Sequence, residues 1–140
     1  MIIVLLLLVV SVLFLISMLH VYWACGGRWG AKVVVPVKKG GQEAVFIPKK
    51  VGTMLVAVLL LIAAFLLFVQ GIYGQTVQAF TFFTVGCTVC AVIFLIRAIG
   101  DFKYVGFFKK IKHSQFARND TRFYSPLCLI IAIVYLFVLF

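Results

Sequence analysis

The sequence predicts an all-α fold: a bundle of four transmembrane helices, with both termini extracytoplasmic and two basic cytoplasmic loops. Three observations predict it. Of 140 residues, 66% are hydrophobic and only 11% charged, whereas a soluble domain is nearer half apolar and a quarter charged. The apolar residues fall into four runs, each close to the roughly 20 residues that a helix needs to cross a bilayer. The basic residues gather in two of the three connecting loops. The chain has room for one integral membrane domain over residues 1–140 and for no separate soluble domain.

The first run covers about residues 2–23. It lacks the basic start of a signal peptide and is longer than such a peptide's apolar core. Tyr22 and Trp23 precede Ala24-Cys25-Gly26 where a lipoprotein cleavage site requires small or aliphatic residues, so a retained helix is expected. Gly26-Gly27 stop it, glycine being the common residue just past a helix end. In the loop that follows, Val33-Val34-Val35-Pro36-Val37 and Ala44-Val45-Phe46-Ile47 flank Lys39-Gly40-Gly41-Gln42. Two β-prone runs around Gly-Gly predict a small hairpin, which Pro36 and Pro48 confine to edge pairing.

The second span is expected at about residues 51–69. Gln70-Gly-Ile-Tyr-Gly-Gln-Thr-Val-Gln78, with two glycines and no charge, predicts a tight turn between antiparallel helices. The third span, about 79–99, is rich in Phe and small residues; Gly86, Cys87, Cys90 and Ala91 suit a close helix contact. In the stretch from Gly100 to Arg122, basic residues alternate with aromatics, which suits a helix lying in the headgroup plane. The last span is expected at about 123–140. Asp120 is its candidate N-cap, which leaves Pro126 to kink the first turns. A start at Ser125, with Pro126 at the first helical position, leaves 15 residues, about 22 Å, which is short for a bilayer core of roughly 30 Å.

Charge sets the orientation. Arg28, Lys32, Lys38, Lys39, Lys49 and Lys50 occupy the first loop, and Lys103, Lys109, Lys110, Lys112, Arg118 and Arg122 the third. The middle loop and both ends carry no Lys or Arg. The positive-inside rule then makes the two basic loops cytoplasmic, in the cell (inner) membrane. The net charge of +10 points to anionic lipid headgroups rather than nucleic acid, because the cations sit beside apolar spans. Of the four cysteines, Cys87, Cys90 and Cys128 lie in or beside apolar runs and Cys25 at a run's end. No disulfide framework is expected.

Arg97 ends the third run, and Asp101 follows four residues later. On a continuing helix the two share one face. An ionisable residue at the edge of hydrocarbon marks a partner or a site. The predicted orientation puts His20, Trp23, Arg28, Arg97, Asp101, Asp120 and Tyr124 at one membrane depth, as a candidate ligand-binding group. Its functional reading is a pocket for a lipid headgroup, an ion or a small anion. Its structural reading is an ion pair of Arg97 with Asp101 or Asp120 that closes the bundle.

Other chemistry is weaker. His20 suits a haem or metal only with a second ligand, and His113 is the only other histidine, so neither a metal nor a cofactor is expected. Cys87-Thr-Val-Cys90 has the spacing of a thiol–disulfide pair. It lies inside an apolar run, where helix packing is the simpler role. Vitamin K epoxide reductase-like proteins carry such a pair near a quinone, but they relay electrons through loop cysteines that the outer turn here lacks. Small multidrug transporters depend on a glutamate in the first span, and this span has none. No zinc-protease, nucleophile-elbow, Walker or paired-carboxylate motif is present.

Three segments occur together: His20-Val-Tyr-Trp-Ala-Cys-Gly-Gly27, Arg97-Ala-Ile-Gly-Asp101-Phe-Lys-Tyr-Val-Gly-Phe-Phe108 and Phe116-Ala-Arg-Asn-Asp120-Thr-Arg-Phe-Tyr124-Ser-Pro126. In this combination the chain resembles a family of small bacterial four-span membrane proteins catalogued as domain of unknown function 3995. The resemblance implies a bacterial inner-membrane protein and brings no activity with it. The expected function is a non-enzymatic inner-membrane protein with a polar site at the cytoplasmic leaflet. Its expected partners are anionic lipid headgroups, a small ligand, a membrane protein or a second copy of the chain. The alternative is a membrane enzyme or redox protein, quinone- or haem-linked, using His20 or the Cys87/Cys90 pair.

Overall fold

Apolar runs this long leave the backbone one economical way to satisfy its N–H and C=O groups in hydrocarbon, which is the helix. The computed structural model describes residues 2–38, 43–45, 47–77 and 81–140. Its elements are α1 (Ile2–Ala24), α2 (Ala31–Val34), α3 (Lys50–Val77), α4 (Thr81–Ile99), α5 (Gln115–Asn119), a π-helical turn (Asp120–Tyr124) and α6 (Ser125–Leu139). Four helical stretches, Ile3–Ala24, Lys50–Gly74, Thr81–Ile99 and Gln115–Leu139, are long and apolar enough to cross a membrane. The chain is a multi-pass integral membrane protein with an all-helical architecture and no strand among the described residues.

The helices pack chiefly as two pairs, α1 against α3 and α4 against α6, joined along α3 and α4. Leu6 meets Gly71, and Ser17 Oγ donates to Ala57 O at 2.8 Å, so α1 and α3 are antiparallel. The core is built from Val9, Leu13, Ala63, Leu67, Cys87, Ala91, Ile131, Val134 and Tyr135. With lipid outside as apolar as leucine inside, close packing and interhelical hydrogen bonds hold such a bundle. Gly86 lies against the Leu66 side chain. The Cys87 thiol faces Leu66 O at 3.6 Å, and the Tyr135 hydroxyl donates to Ala63 O at 2.7 Å.

Four expectations need correction. The predicted hairpin reduces to one antiparallel bridge, Val37 with Ala44, because Val33 and Val34 belong to α2. Lys38 N–H donates to Glu43 O and Val45 N–H to Pro36 O, both at 2.8 Å; the Lys39-Gly40-Gly41-Gln42 tip lies outside the described residues. An isolated two-stranded ladder is marginal, and proline supplies no further donor. Next, no turn begins at Gln70: α3 runs through both glycines to Val77, and Gln78, the last residue of the expected turn, lies with 79 and 80 outside the described residues. Gly71 lies within the helix, and its missing side chain lets Leu6 of α1 close in.

The stretch from Gly100 to Ser114 is irregular rather than a helix in the headgroup plane. Two of its glycines, Gly100 and Gly106, have φ of +89° and +88°, which no helix accommodates. Finally, the last span starts at neither Asp120 nor Ser125. Ser114 is the N-cap, its hydroxyl accepting from Ala117 N–H at 3.0 Å, and helix continues from Gln115 to Leu139. Those 25 residues reach about 37 Å, which removes the shortage of length. Pro126 is carried because Ser125 N–H reaches back five residues to Asp120 O. The widened turn eases the clash that a proline ring makes with the carbonyl four residues before it.

Candidate functional site at the α4–α6 end of the bundle

Arg97 lies in the last turn of α4, inside a span, where an unpaired guanidinium is costly. Asp101 is not its partner. Gly100, in the left-handed region, ends α4 after Ile99, so the expected shared helix face never forms. Asp101 instead turns its Oδ1 onto three backbone N–H groups, of Lys103 (2.9 Å), Tyr104 (2.7 Å) and Val105 (2.9 Å). Burial pushes its carboxyl up, and the backbone donors together outweigh that and hold it below the usual carboxylate value. Phe107 N–H donates to Ala98 O at 2.9 Å and closes the loop on the end of α4. At the closure the Gly100 and Gly106 backbones touch, and a methyl group on either would enter the other's segment. Phe102 takes φ +61°, a left-handed conformation that costs a non-glycine residue roughly 1–2 kcal/mol. The Asp101 bonds on the next residues help to hold it there.

The loop delivers its residues to Asp120, which is fully buried. Asp120 Oδ1 accepts from Arg97 Nη2 at 2.9 Å. Its Oδ2 accepts from Gly106 N–H at 2.7 Å and from Lys109 Nζ at 2.9 Å. Lys109, only 2% exposed, spends its other donors on Gly106 O (2.9 Å) and Thr121 Oγ1 (2.7 Å). Both ions of this pair are therefore hydrogen-bonded throughout, the condition under which a buried pair is tolerated. Arg97 is different. Its side chain is 35% exposed, and its Nη1 is shielded from solvent yet has no protein partner among the described residues. Two cations face one carboxylate, which leaves one positive charge over. Ser125, one π turn beyond Asp120, is also buried, and its hydroxyl has no partner among the described residues.

Of the residues expected at one depth, Arg97 is joined to Asp120 and His20 meets Trp23, but the seven do not form one group. His20 Nδ1 is hydrogen-bonded to Ile16 O of its own helix at 2.8 Å, and the ring meets Trp23 edge-on at 5.2 Å. Trp23 Nε1 donates to Trp29 O at 2.8 Å and so braces the first loop. Arg28 is exposed and makes no ion pair among the described residues. The Tyr124 hydroxyl approaches Val33 O at 3.5 Å, and its ring tilts against Phe116. Tyr124 thus ties the first loop to α5. Lys109, Gly106 and Thr121 were not anticipated. In sequence Lys109 is one lysine among several between aromatics, and only the paired glycines six residues apart hint at a closed loop.

No group of three metal-ligating side chains exists among the described residues. Cys87 and Cys90 are free thiols, the first buried against Leu66 O and the second packed on the core. Their places are those of small helix-packing residues.

No curated protein and no solved structure matches the chain. The model of one family, described as "Protein of unknown function (DUF3995)", matches residues 13–135. That stretch holds all of α2–α5, most of α1 and α6, and every residue of the Arg97–Asp120–Lys109 centre, and the chain belongs to this family.

Proposed function

We propose that this is a non-enzymatic protein of the bacterial inner membrane that holds an anionic lipid headgroup at the cytoplasmic end of α4 and α6, with Arg97 as the contact. One observation carries the reading: Arg97 shares Asp120 with the buried Lys109, so two cations face one carboxylate and the surplus positive charge lies on a partly exposed side chain. A phosphate oxygen is the acceptor that suits a guanidinium with charge to spare. Asp120 orients Arg97, and Asp101 acts one step away by shaping the loop that brings Gly106 and Lys109 to Asp120. His20, Trp23, Arg28 and Tyr124 border the same end. The orientation belongs to the proposal: the two basic loops cytoplasmic, both termini outside. Supporting it, α2 of the first basic loop packs against α5, which follows the second, so the cations collect at one end of the bundle.

Native mass spectrometry of the detergent-purified protein tests the site. Phosphatidylglycerol is expected to stay on the native protein and on Lys38→Ala, and to be lost from Arg97→Ala. Lys109 still pairs with Asp120 in that variant, so it is expected to fold. Equal lipid retention by a folded Arg97→Ala sinks the headgroup site, and a haem band or bound quinone in the purified protein would replace it with a redox role. For orientation, a cysteine at Gln75 is expected to react with an impermeant maleimide from the periplasmic side; labelling from the cytoplasmic side alone reverses the topology.

A further inference from the structure

The loop between α4 and α5 has two faces. Gly106 and Lys109 are buried, each bonded to Asp120. Phe102 and Phe108 point outward, 58% and 64% exposed, with their rings together at 6.2 Å. Lys103, Lys110 and Lys112 are exposed on the same loop, and Lys103 Nζ sits 5.2 Å from the centre of the Tyr104 ring. Of the carboxylates joined to this loop, Asp120 is buried and Asp101 is exposed with its Oδ1 turned onto backbone amides. The loop therefore offers two exposed aromatic rings and three exposed lysines against one exposed carboxylate.

This face is built rather than left over. Phe102 is held at φ +61°, an unfavourable conformation for a bulky residue. The Asp101 clamp and the Gly100–Gly106 contact keep the loop in one shape. Such strain, maintained by surrounding contacts, accompanies functional placement. A rigid loop also loses little conformational freedom when it engages a partner.

We propose that this loop is a membrane wedge, with Phe102 and Phe108 seated among the acyl chains just below the headgroups and Lys103, Lys110 and Lys112 on anionic phosphates. The occupant is the leaflet of the bilayer that the protein spans. Charge complementarity selects it: aromatics flanked by lysines are the composition of segments that lie in an anionic interface. The loop also starts at the end of α4 and leads into the last span, so its rings need no reach to meet lipid. Phe108 adjoins Lys109 in the chain, so a seated ring restrains the residue that completes the Asp120 centre. The proposal stands apart from the headgroup reading of Arg97, since a wedge can seat whether or not Arg97 binds a lipid.

The test uses the full-length protein in nanodiscs, in a Trp23→Phe/Trp29→Phe background. Phe108→Trp or, as a second position, Phe102→Trp reports on the wedge, and Lys112→Trp on the rim. With phosphatidylglycerol bilayers brominated high on the acyl chains, wedge fluorescence is expected to fall by about twofold or more, and rim fluorescence much less. Replacing phosphatidylglycerol by phosphatidylcholine is expected to weaken the quenching. The proposal is overturned if wedge and rim are quenched alike, if quenching ignores lipid charge, or if the wedge stays unquenched and is shielded only where chemical cross-linking finds a second copy.

Discussion

Asp120 is the residue on which the Arg97 end of the α4–α6 pair closes, and its removal strands a lysine. Lys109 is almost wholly enclosed, so Asp120→Ala leaves a buried ammonium without its counter-ion. The expected loss is about 3–5 kcal/mol, the cost of breaking a buried pair from one side, measured by unfolding in detergent. Removing both charges together, Asp120→Ala with Lys109→Met, is expected to recover much of that loss; if it does not, the pair is not what holds this end. Asp101 acts on a smaller scale. Its folded-state carboxyl lies below the ordinary value near 3.8, so the carboxylate form is favoured by folding. Its contribution is therefore complete above the unfolded value and disappears as pH falls through the lower folded one. Hydrogen exchange at the Lys103, Tyr104 and Val105 amides is expected to be slow at neutral pH and fast in Asp101→Ala. Equal protection in the variant counts against the clamp.

At the scale of elements, the loop after α4 is stable because two chain segments cross without side chains between them. Gly106→Ala is disfavoured twice, by its positive φ and by the methyl group's collision with Ile99 and Gly100. A loss above about 1 kcal/mol is expected, with the damage confined to the loop and to the bonds that Gly106 and Lys109 make to Asp120. Ordinary melting with an intact Asp101 clamp would show that the crossing is not needed. The π turn is the other device of this kind. It carries Asp120 inward at its start and lets helix continue past Pro126. Helix from Gln115 and a span of adequate length both follow from it.

For the whole molecule, the question is what keeps two helix pairs together in lipid. Apolar burial gives little preference there, so contact distance matters most. Gly86 lets α4 approach Leu66 of α3, and one buried hydroxyl, on Tyr135 of α6, reaches Ala63 of α3. Gly86→Leu is expected to cost about 1–3 kcal/mol by overpacking this seam, read as a lower midpoint in detergent unfolding. An unchanged midpoint would mean that the pairs are held elsewhere.

The four spans and the grouping of cations were legible in the sequence, because both depend on composition over tens of residues. That Arg97 would take Asp101 or Asp120 as a partner was legible because charges beside hydrocarbon are few and must be answered. The partner choice was not. Gly100 carries the chain out of the helix before Asp101, and only the three-dimensional path shows Asp101 facing backbone while Asp120 turns inward. Two glycines in an uncharged stretch predicted a turn at Gln70–Gln78, whereas Leu6 of another helix makes Gly71 a packing surface. Lys109 was hidden for the most general reason. Its burial depends on where a loop of 15 irregular residues folds back, and neighbours far apart in sequence decide that. The sequence by itself determined a four-span membrane chain with its positive charge in two loops. The tertiary structure decided which charges meet, because contact at a few ångströms is set by helix ends and crossings rather than by composition.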